Sequence, residues 1–156
     1  MDSFGYADSR CMPEWLFSRA LSLDHTTAIR GNPEKQNHGV CPRHWYVDAV
    51  FECVRCGEQF TWTAGEQKAW FEDYFFWIDS VPRHCMQCGA DRRRIDDLRK
   101  EYDSTVAAAR ENGTSEQKRR IIEIVTELEI ELGKLPEKMI ETKKLFKRLI
   151  ENRSSA

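Results

Sequence analysis

The chain has 156 residues, of which 40% are apolar and 11% aromatic, and its formal net charge is −2. This composition excludes disorder over the whole length, and no uncharged stretch is long enough to span a bilayer. The small net charge excludes a strongly basic, non-specific nucleic-acid binder. The first residues lack the pattern of a secretory signal, so we expect a cytoplasmic, reducing location. There the six cysteines are metal ligands or free thiols.

The first forty residues show little regular pattern. Glycine, asparagine and proline interrupt the polar stretch 24–39, which therefore predicts a loop. We predict that residues 1–40 form an irregular segment that packs on the next domain through Trp15, Leu16 and Phe17.

Residues 41–90 are predicted to form a small zinc domain of the α+β class. The aromatic and β-branched run 45–51 predicts one strand, and residues 59–62 predict a second strand that forms a hairpin with it. A domain of this size buries little surface and often needs a metal to stabilise it.

A helix is predicted to follow the hairpin. Thr63 and Glu66 have the spacing of a capping box, so the helix begins near Ala64. Aromatic residues recur at helical spacing as far as Trp77, so we expect the helix to extend that far. The aromatic run 70–77 could stack on bases of a nucleic acid, but core packing is the favoured interpretation.

The remaining residues, 91–156, are predicted to form a helical tail. One helix runs from 91 to 111, Gly113 marks its end, and Thr114 or Ser115 is the N-cap of the next helix. Two further helices separated by Pro136 form a helical hairpin because their connection is short. Their apolar stripes consist of Ile121, Ile124, Val125, Leu128 and Leu132, and of Met139, Leu145, Phe146, Leu149 and Ile150.

Two Cys-x-x-Cys-Gly units give the strongest functional signal. They predict one zinc ion per chain, bound by Cys53, Cys56, Cys85 and Cys88. Four cysteines complete a tetrahedron and leave no position for substrate, so the site is structural and not catalytic. The alternatives are two unrelated thiol pairs or a redox pair, although the βαβ setting of a redox pair is absent.

Basic residues accompany the cysteines. Arg55, Arg83, His84 and Arg92 could offset the charge of a zinc–thiolate centre, or could be ordinary surface side chains. The run Arg92, Arg93 and Arg94 could contact phosphate, but interleaved acidic residues favour a salt-bridged, solvated helix.

A second, weaker metal motif precedes the first strand. His38-x-x-Cys41-x-x-His44, with Cys11 upstream, has an even spacing that could hold a metal ion. A buried thiol flanked by surface histidines is the favoured alternative.

The central motifs resemble a bacterial family described as a probable zinc-ribbon or treble-clef domain. The resemblance covers residues 44–94 and rests on Phe51-x-Cys53-x-x-Cys56-Gly57-x-x-Phe60, Thr63-Ala64-Gly65-Glu66-Gln67 and Pro82-Arg83-x-Cys85-x-x-Cys88. It implies a zinc-binding fold with the same four cysteine ligands, and no particular activity. The aromatic insert 74–80 departs from the family pattern.

These observations lead to three functional hypotheses. The first is a non-enzymatic zinc-binding adaptor that binds a protein partner, or a second copy of itself, through residues 115–156. The alternative is a nucleic-acid-binding zinc protein of transcription or translation. A treble-clef nuclease, which would need His44 or His84, is third. We expect no membrane association, and no small-molecule substrate is evident.

Overall fold

The computed structural model describes residues 5–155. They divide into two compact units, one up to Gly89 and one from Ala90 onward. Within the described residues, no helix combines the length and apolar character needed to cross a bilayer. The fold belongs to the α+β class, with a sheet and a short helix followed by longer helices, as the sequence predicts.

A three-stranded antiparallel sheet forms the centre of the first unit. Its strands are β1 (Ser22–Arg30), β2 (Trp45–Glu52) and β3 (Gln59–Trp62), in the spatial order β1-β2-β3. The predicted hairpin is confirmed, since β2 pairs with β3 and Ala49 lies opposite Trp62.

The prediction of a loop from residue 24 to 39 is wrong for its first part, because β1 continues to Arg30. Ser22 pairs with Val50 and Ile29 with Tyr46, with a break in register between Asp24 and Ile29. The N-terminal segment therefore contributes an edge strand to the sheet and is not irregular throughout.

Twelve buried residues form the core of the first unit. Leu16 and Phe17 belong to it, as predicted, but Trp15 is 52% exposed and does not anchor the segment. The core consists of Met12, Leu16, Phe17, Cys41, Tyr46, Val47, Ala49, Phe51, Trp62, Ala64, Phe71 and Ile78.

A short helix, α1 (Ala64–Lys68), follows β3. The predicted capping box is present, because Thr63 and Glu66 exchange hydrogen bonds between side chain and backbone. The helix widens over Ala69–Asp73 into a turn in which the N–H of Tyr74 donates to the carbonyl oxygen of Ala69 at 3.0 Å. It then ends, so the predicted extension to residue 77 is wrong.

Three longer helices follow: α2 (Met86–Glu111), α3 (Ser115–Leu132) and α4 (Glu137–Ser154). Thr114 caps α3 with a capping box, and Gly133 ends it in the left-handed conformation at φ 69°. Their common core consists of Ile95, Leu98, Tyr102, Ala109, Ile121, Ile124, Val125, Leu128, Leu135 and Phe146.

The stripe predicted for α3 is largely buried, but that for α4 is not. Phe146 is fully buried, whereas Leu145 and Leu149 are 39% and 40% exposed. The polar Thr142 takes an inner position instead and accepts a hydrogen bond from Arg110. Apolar surface is therefore left open along α4.

Candidate metal centre

The first cysteine pair lies in a tight turn where β2 ends. The N–H of Cys53 donates to the carbonyl oxygen of Glu58, and the N–H of Gly57 donates to the carbonyl oxygen of Cys53, both at 2.9 Å. Gly57 has a φ of 75°, a conformation that is energetically unfavourable for residues with a Cβ atom. The glycine of the motif therefore allows the turn to close beneath the two thiols.

The second pair lies at the start of α2. Cys85 precedes the helix, and Cys88 lies in its first turn. The N–H of Gly89 donates to the carbonyl oxygen of Cys85 at 2.9 Å, and the N–H of Cys88 lies 3.5 Å from the Cys85 sulfur. Backbone amides at a helix start favour negative charge, so they stabilise a thiolate here.

The two turns meet. All four sulfur atoms lie within 4.8 Å of one another, and the Cys56 and Cys85 sulfurs are 3.8 Å apart. Four thiolates at ~2.3 Å from a tetrahedral zinc ion are separated by about 3.8 Å. The observed spacing and the sulfur-only donor set therefore fit zinc.

The thiols of the cluster differ in their tendency to ionise. Hydrogen bonding by the backbone N–H of Cys56 lowers the pKa of Cys53 to about 5, whereas burial raises that of Cys88 to about 12. Cys53 therefore forms a thiolate easily, whereas Cys88 needs a nearby cation to do so. A zinc ion would supply that charge and release the remaining protons.

Burial of the centre is uneven. Cys53, Cys85 and Cys88 are at most 9% exposed and pack against Phe60, while Cys56 is exposed. With four protein ligands, a bound zinc would join the β-hairpin turn to the start of α2. Phe60 is a contact that the cysteine spacing could not identify.

The predicted basic neighbours are found in several environments. Arg55 and Arg83 are exposed, and His84 is half-buried next to Cys85. Within the second unit, Arg92 and Arg93 are exposed, while Arg94 forms an ion pair with Glu131. That pair agrees with the salt-bridged helix surface that we favoured.

The structure does not assemble the weaker metal motif. His38 lies with Nδ1 2.9 Å from the carbonyl oxygen of Gly39, and the ring of His44 packs edge-on against Tyr6. Cys41 is buried, which raises its pKa and keeps it a thiol. Among residues 5–155, only the four cysteines bring three or more such ligand atoms together. The set is therefore not formed, because Cys41 packs in the core while the His44 ring packs against Tyr6.

Residues 47–97 match the model of a family described as a probable treble clef domain. This part of the chain is a treble clef domain. Its two cysteine pairs, one in a hairpin turn and one at a helix start, are positioned to bind a metal ion. No curated protein and no solved structure matches the chain.

Proposed function

We propose that the protein is a non-catalytic interaction module, in which one zinc ion stabilises the treble clef and α4 binds an acidic segment of a protein partner. Four cysteine ligands support the structural role, because they leave no coordination position for water or substrate. The open apolar surface of α4 supports the binding role.

A groove of about 510 Å³ runs along α4 beside the end of α2. Leu145 and Leu149 form its apolar part, and they are 39% and 40% exposed. Arg110, Lys144 and Arg148 line it as well, together with the single acidic residue Glu141. This groove, the α4 groove, is the observation that carries the proposal.

The residues that line the α4 groove indicate which kind of segment it binds. Two exposed leucines one turn apart suit the apolar face of an amphipathic helix or a short apolar segment. Three cations against one carboxylate favour acidic residues on either side of that face. The expected partner is therefore an acidic amphipathic segment.

Nucleic-acid binding is the second candidate. Arg92 and Arg93 on α2 are exposed and could contact phosphate. The acidic neighbours Asp96 and Asp97 and the ion pair of Arg94 reduce the local positive charge. We therefore favour the protein partner.

In vivo photo-crosslinking tests the proposal. A photo-crosslinking amino acid replaces Leu149 in the full chain, or Ile130 as a control that is exposed on α3. We expect one protein to be crosslinked from position 149 but not from 130, through a segment rich in Asp and Glu. Equal crosslinking from both positions would exclude the groove. Nucleic acid recovered from positions 92 and 93 would favour the second candidate.

A further inference from the structure

Four consecutive aromatic residues follow the wide turn that ends α1, and all four are exposed. Tyr74, Phe75, Phe76 and Trp77 retain 69%, 57%, 45% and 49% of their accessible surface. We call this set the aromatic platform. The sequence favours a core role for this run, but only the preceding Trp70 and Phe71 pack in or against the core. A contiguous exposed apolar patch on a small domain indicates a binding surface.

The backbone of the aromatic platform is strained. Phe75 has a φ of 56°, and in the described residues it is the one non-glycine residue with a positive φ. A bulky side chain rarely adopts this conformation, which costs energy unless the surroundings impose it. In this conformation the phenyl ring of Phe75 is exposed, while the ring of Phe76 approaches that of Trp70, with ring centroids 4.4 Å apart.

Hydrogen bonds hold the aromatic platform at both ends. The N–H of Phe76 donates to the carbonyl oxygen of Trp70 at 3.2 Å, and the N–H of Ile78 donates to that of Asn37 at 3.0 Å. Ser80 bonds the carbonyl oxygen of Trp77 through both its N–H and its hydroxyl, at 2.8 and 2.6 Å. The backbone that carries the rings is therefore restrained before any partner binds, which reduces the entropy lost on binding.

The charged side chains of the segment that carries the aromatic platform are all negative, and the nearby guanidinium of Arg43, which donates to the carbonyl oxygen of Ile78, is buried. Between Ala69 and Pro82 the chain has the carboxylates Glu72, Asp73 and Asp79 and no basic residue. Glu72 is buried and accepts a hydrogen bond from Tyr46, whereas Asp73 and Asp79 are exposed beside the rings. Phosphate groups of nucleic acid or of an acidic membrane would be repelled from this surface.

We propose that the aromatic platform binds a cationic segment of a protein partner, with arginine or lysine side chains lying over the rings. Cations are attracted to the faces of aromatic rings, most strongly to those of Trp and Tyr. Asp73 and Asp79 flank the rings in sequence, and the Asp79 carboxylate accepts a hydrogen bond from the indole N–H of Trp77 at 3.1 Å, so both add direct charge pairing. This surface lies in the first unit and does not depend on the α4 groove.

Binding of a fluorescein-labelled nona-arginine peptide to the full-length, zinc-bound protein tests this inference. Fluorescence anisotropy gives the affinity, with a nona-glutamate peptide as a negative probe. Trp77→Ser should weaken nona-arginine binding about tenfold, because one cation–π contact and its surrounding apolar surface are lost. The matched control Trp15→Ser removes another half-exposed tryptophan and should leave the affinity unchanged.

A substitution at Phe75, the residue with the strained backbone, tests the surface without destabilising the fold. Phe75→Gly removes the ring and also relieves the strain at φ 56°, since glycine adopts positive φ freely. We expect a higher Tm together with weaker nona-arginine binding. A residue kept for packing alone would lose stability on this substitution.

Charge variants separate this surface from general attraction of a basic peptide to an acidic protein. Asp73→Asn with Asp79→Asn should weaken nona-arginine binding at least fivefold. The control Glu14→Gln with Glu58→Gln changes the net charge equally at exposed positions elsewhere and should have little effect. Equal losses in both pairs would overturn the proposal. So would tighter binding of a single-stranded RNA, or concentration-dependent self-association that Trp77→Ser abolishes.

Discussion

The N–H of Val54 donates a hydrogen bond to the carbonyl oxygen of Arg83, with an N···O distance of 3.0 Å. The donor follows Cys53 and the acceptor lies two residues before Cys85. This contact therefore brings the two cysteine turns together through the backbone. It also orders the start of α2 in a stretch where few apolar side chains pack.

The first prediction concerns metal content. The purified protein should contain about one zinc per chain, and a chelator should remove it more easily as the pH falls. Zinc release requires the thiolates to take up protons, so acid favours release. Elemental analysis and a zinc-sensitive dye would measure both. Zinc content that stays constant on acidification to pH 4 would contradict thiolate ligation.

The second prediction concerns the exposed ligand. Cys56→Ser should lose zinc, and amide hydrogen exchange should accelerate over residues 83–89. The cysteine cluster meets the twelve-residue core through the partly buried Phe60, and Trp62 lies within that core, so near-ultraviolet circular dichroism from Trp62 should largely persist. Cys11→Ser, which changes an exposed cysteine outside the cluster, is the control. Global loss of structure would show instead that the core depends on the metal.

The sequence predicted the elements that local chemistry specifies. The Cys-x-x-Cys-Gly turns, the capping box at Thr63, the N-cap before α3 and the apolar stripe of α3 all depend on residues close in the chain. The sulfur cluster followed from them, because two such turns need one shared ion.

Two features were missed: the edge strand β1, which depends on contacts distant in sequence, and the end of α1, which depends on a local change of helix geometry. β1 has no alternation of apolar and polar residues, since it is an edge strand stabilised by backbone pairing with β2. The N–H of Asp48, for example, donates to the Thr27 hydroxyl at 2.8 Å, a contact 21 residues apart in sequence. The aromatic residues 74–77 continue the helical periodicity of the sequence, but the helix widens over Ala69–Asp73 and ends before Tyr74. Their rings are therefore exposed instead of facing the core.

The third prediction concerns Arg43, which is fully buried and connects the N-terminal segment to the core. Its guanidinium donates to the carbonyl oxygens of Leu16 and Ile78, at 2.5 and 3.1 Å, and lies over the rings of Phe17 and Phe71. Arg43→Lys keeps the charge but cannot reach both carbonyls. It should lower the free energy of unfolding by about 1–3 kcal/mol, because one buried acceptor is left unsatisfied.

Urea denaturation measures this effect, with Arg19→Lys at an exposed position as the control. Burial also lowers the pKa of Arg43 to about 10. The native state therefore binds fewer protons than the unfolded chain above that pH, and this residue's contribution to stability should rise with pH there. Equal midpoints for both lysine variants would show that the carbonyl contacts contribute nothing.

The fourth prediction concerns the bidentate pair of Arg120 and Glu101, with N···O distances of 2.7 and 2.8 Å. The hydrogen bond from Arg120 lowers the pKa of Glu101, so the pair stabilises the native state above about pH 4.3 and this contribution is lost as acid protonates Glu101. Both side chains are more than a third exposed, which limits the effect. A double-mutant cycle at pH 7 should give less than about 1 kcal/mol, decreasing with salt.

The fifth prediction uses two glycines with opposite surroundings. A Cβ atom at Gly31, just after β1, would collide with the carbonyl oxygen of Arg43, whose position is fixed by a hydrogen bond from the Gln36 side chain. Gly65 in α1 has open space around it. Gly65→Ala should therefore stabilise the protein by about 0.4–1 kcal/mol, because alanine restricts the unfolded chain.

Gly31→Ala should instead be destabilising by more than that amount, since the backbone of the turn after β1 must move to relieve the collision. Thermal unfolding of both variants compares them directly, and tryptophan fluorescence reports whether the core around Trp62 is disturbed. The edge strand β1 is held at this end by the N–H of Gly31, which donates to the carbonyl oxygen of His44 at 2.8 Å. If Gly31→Ala were neutral, this connection would not contribute to stability, and β1 would be joined to the sheet by its other pairings with β2.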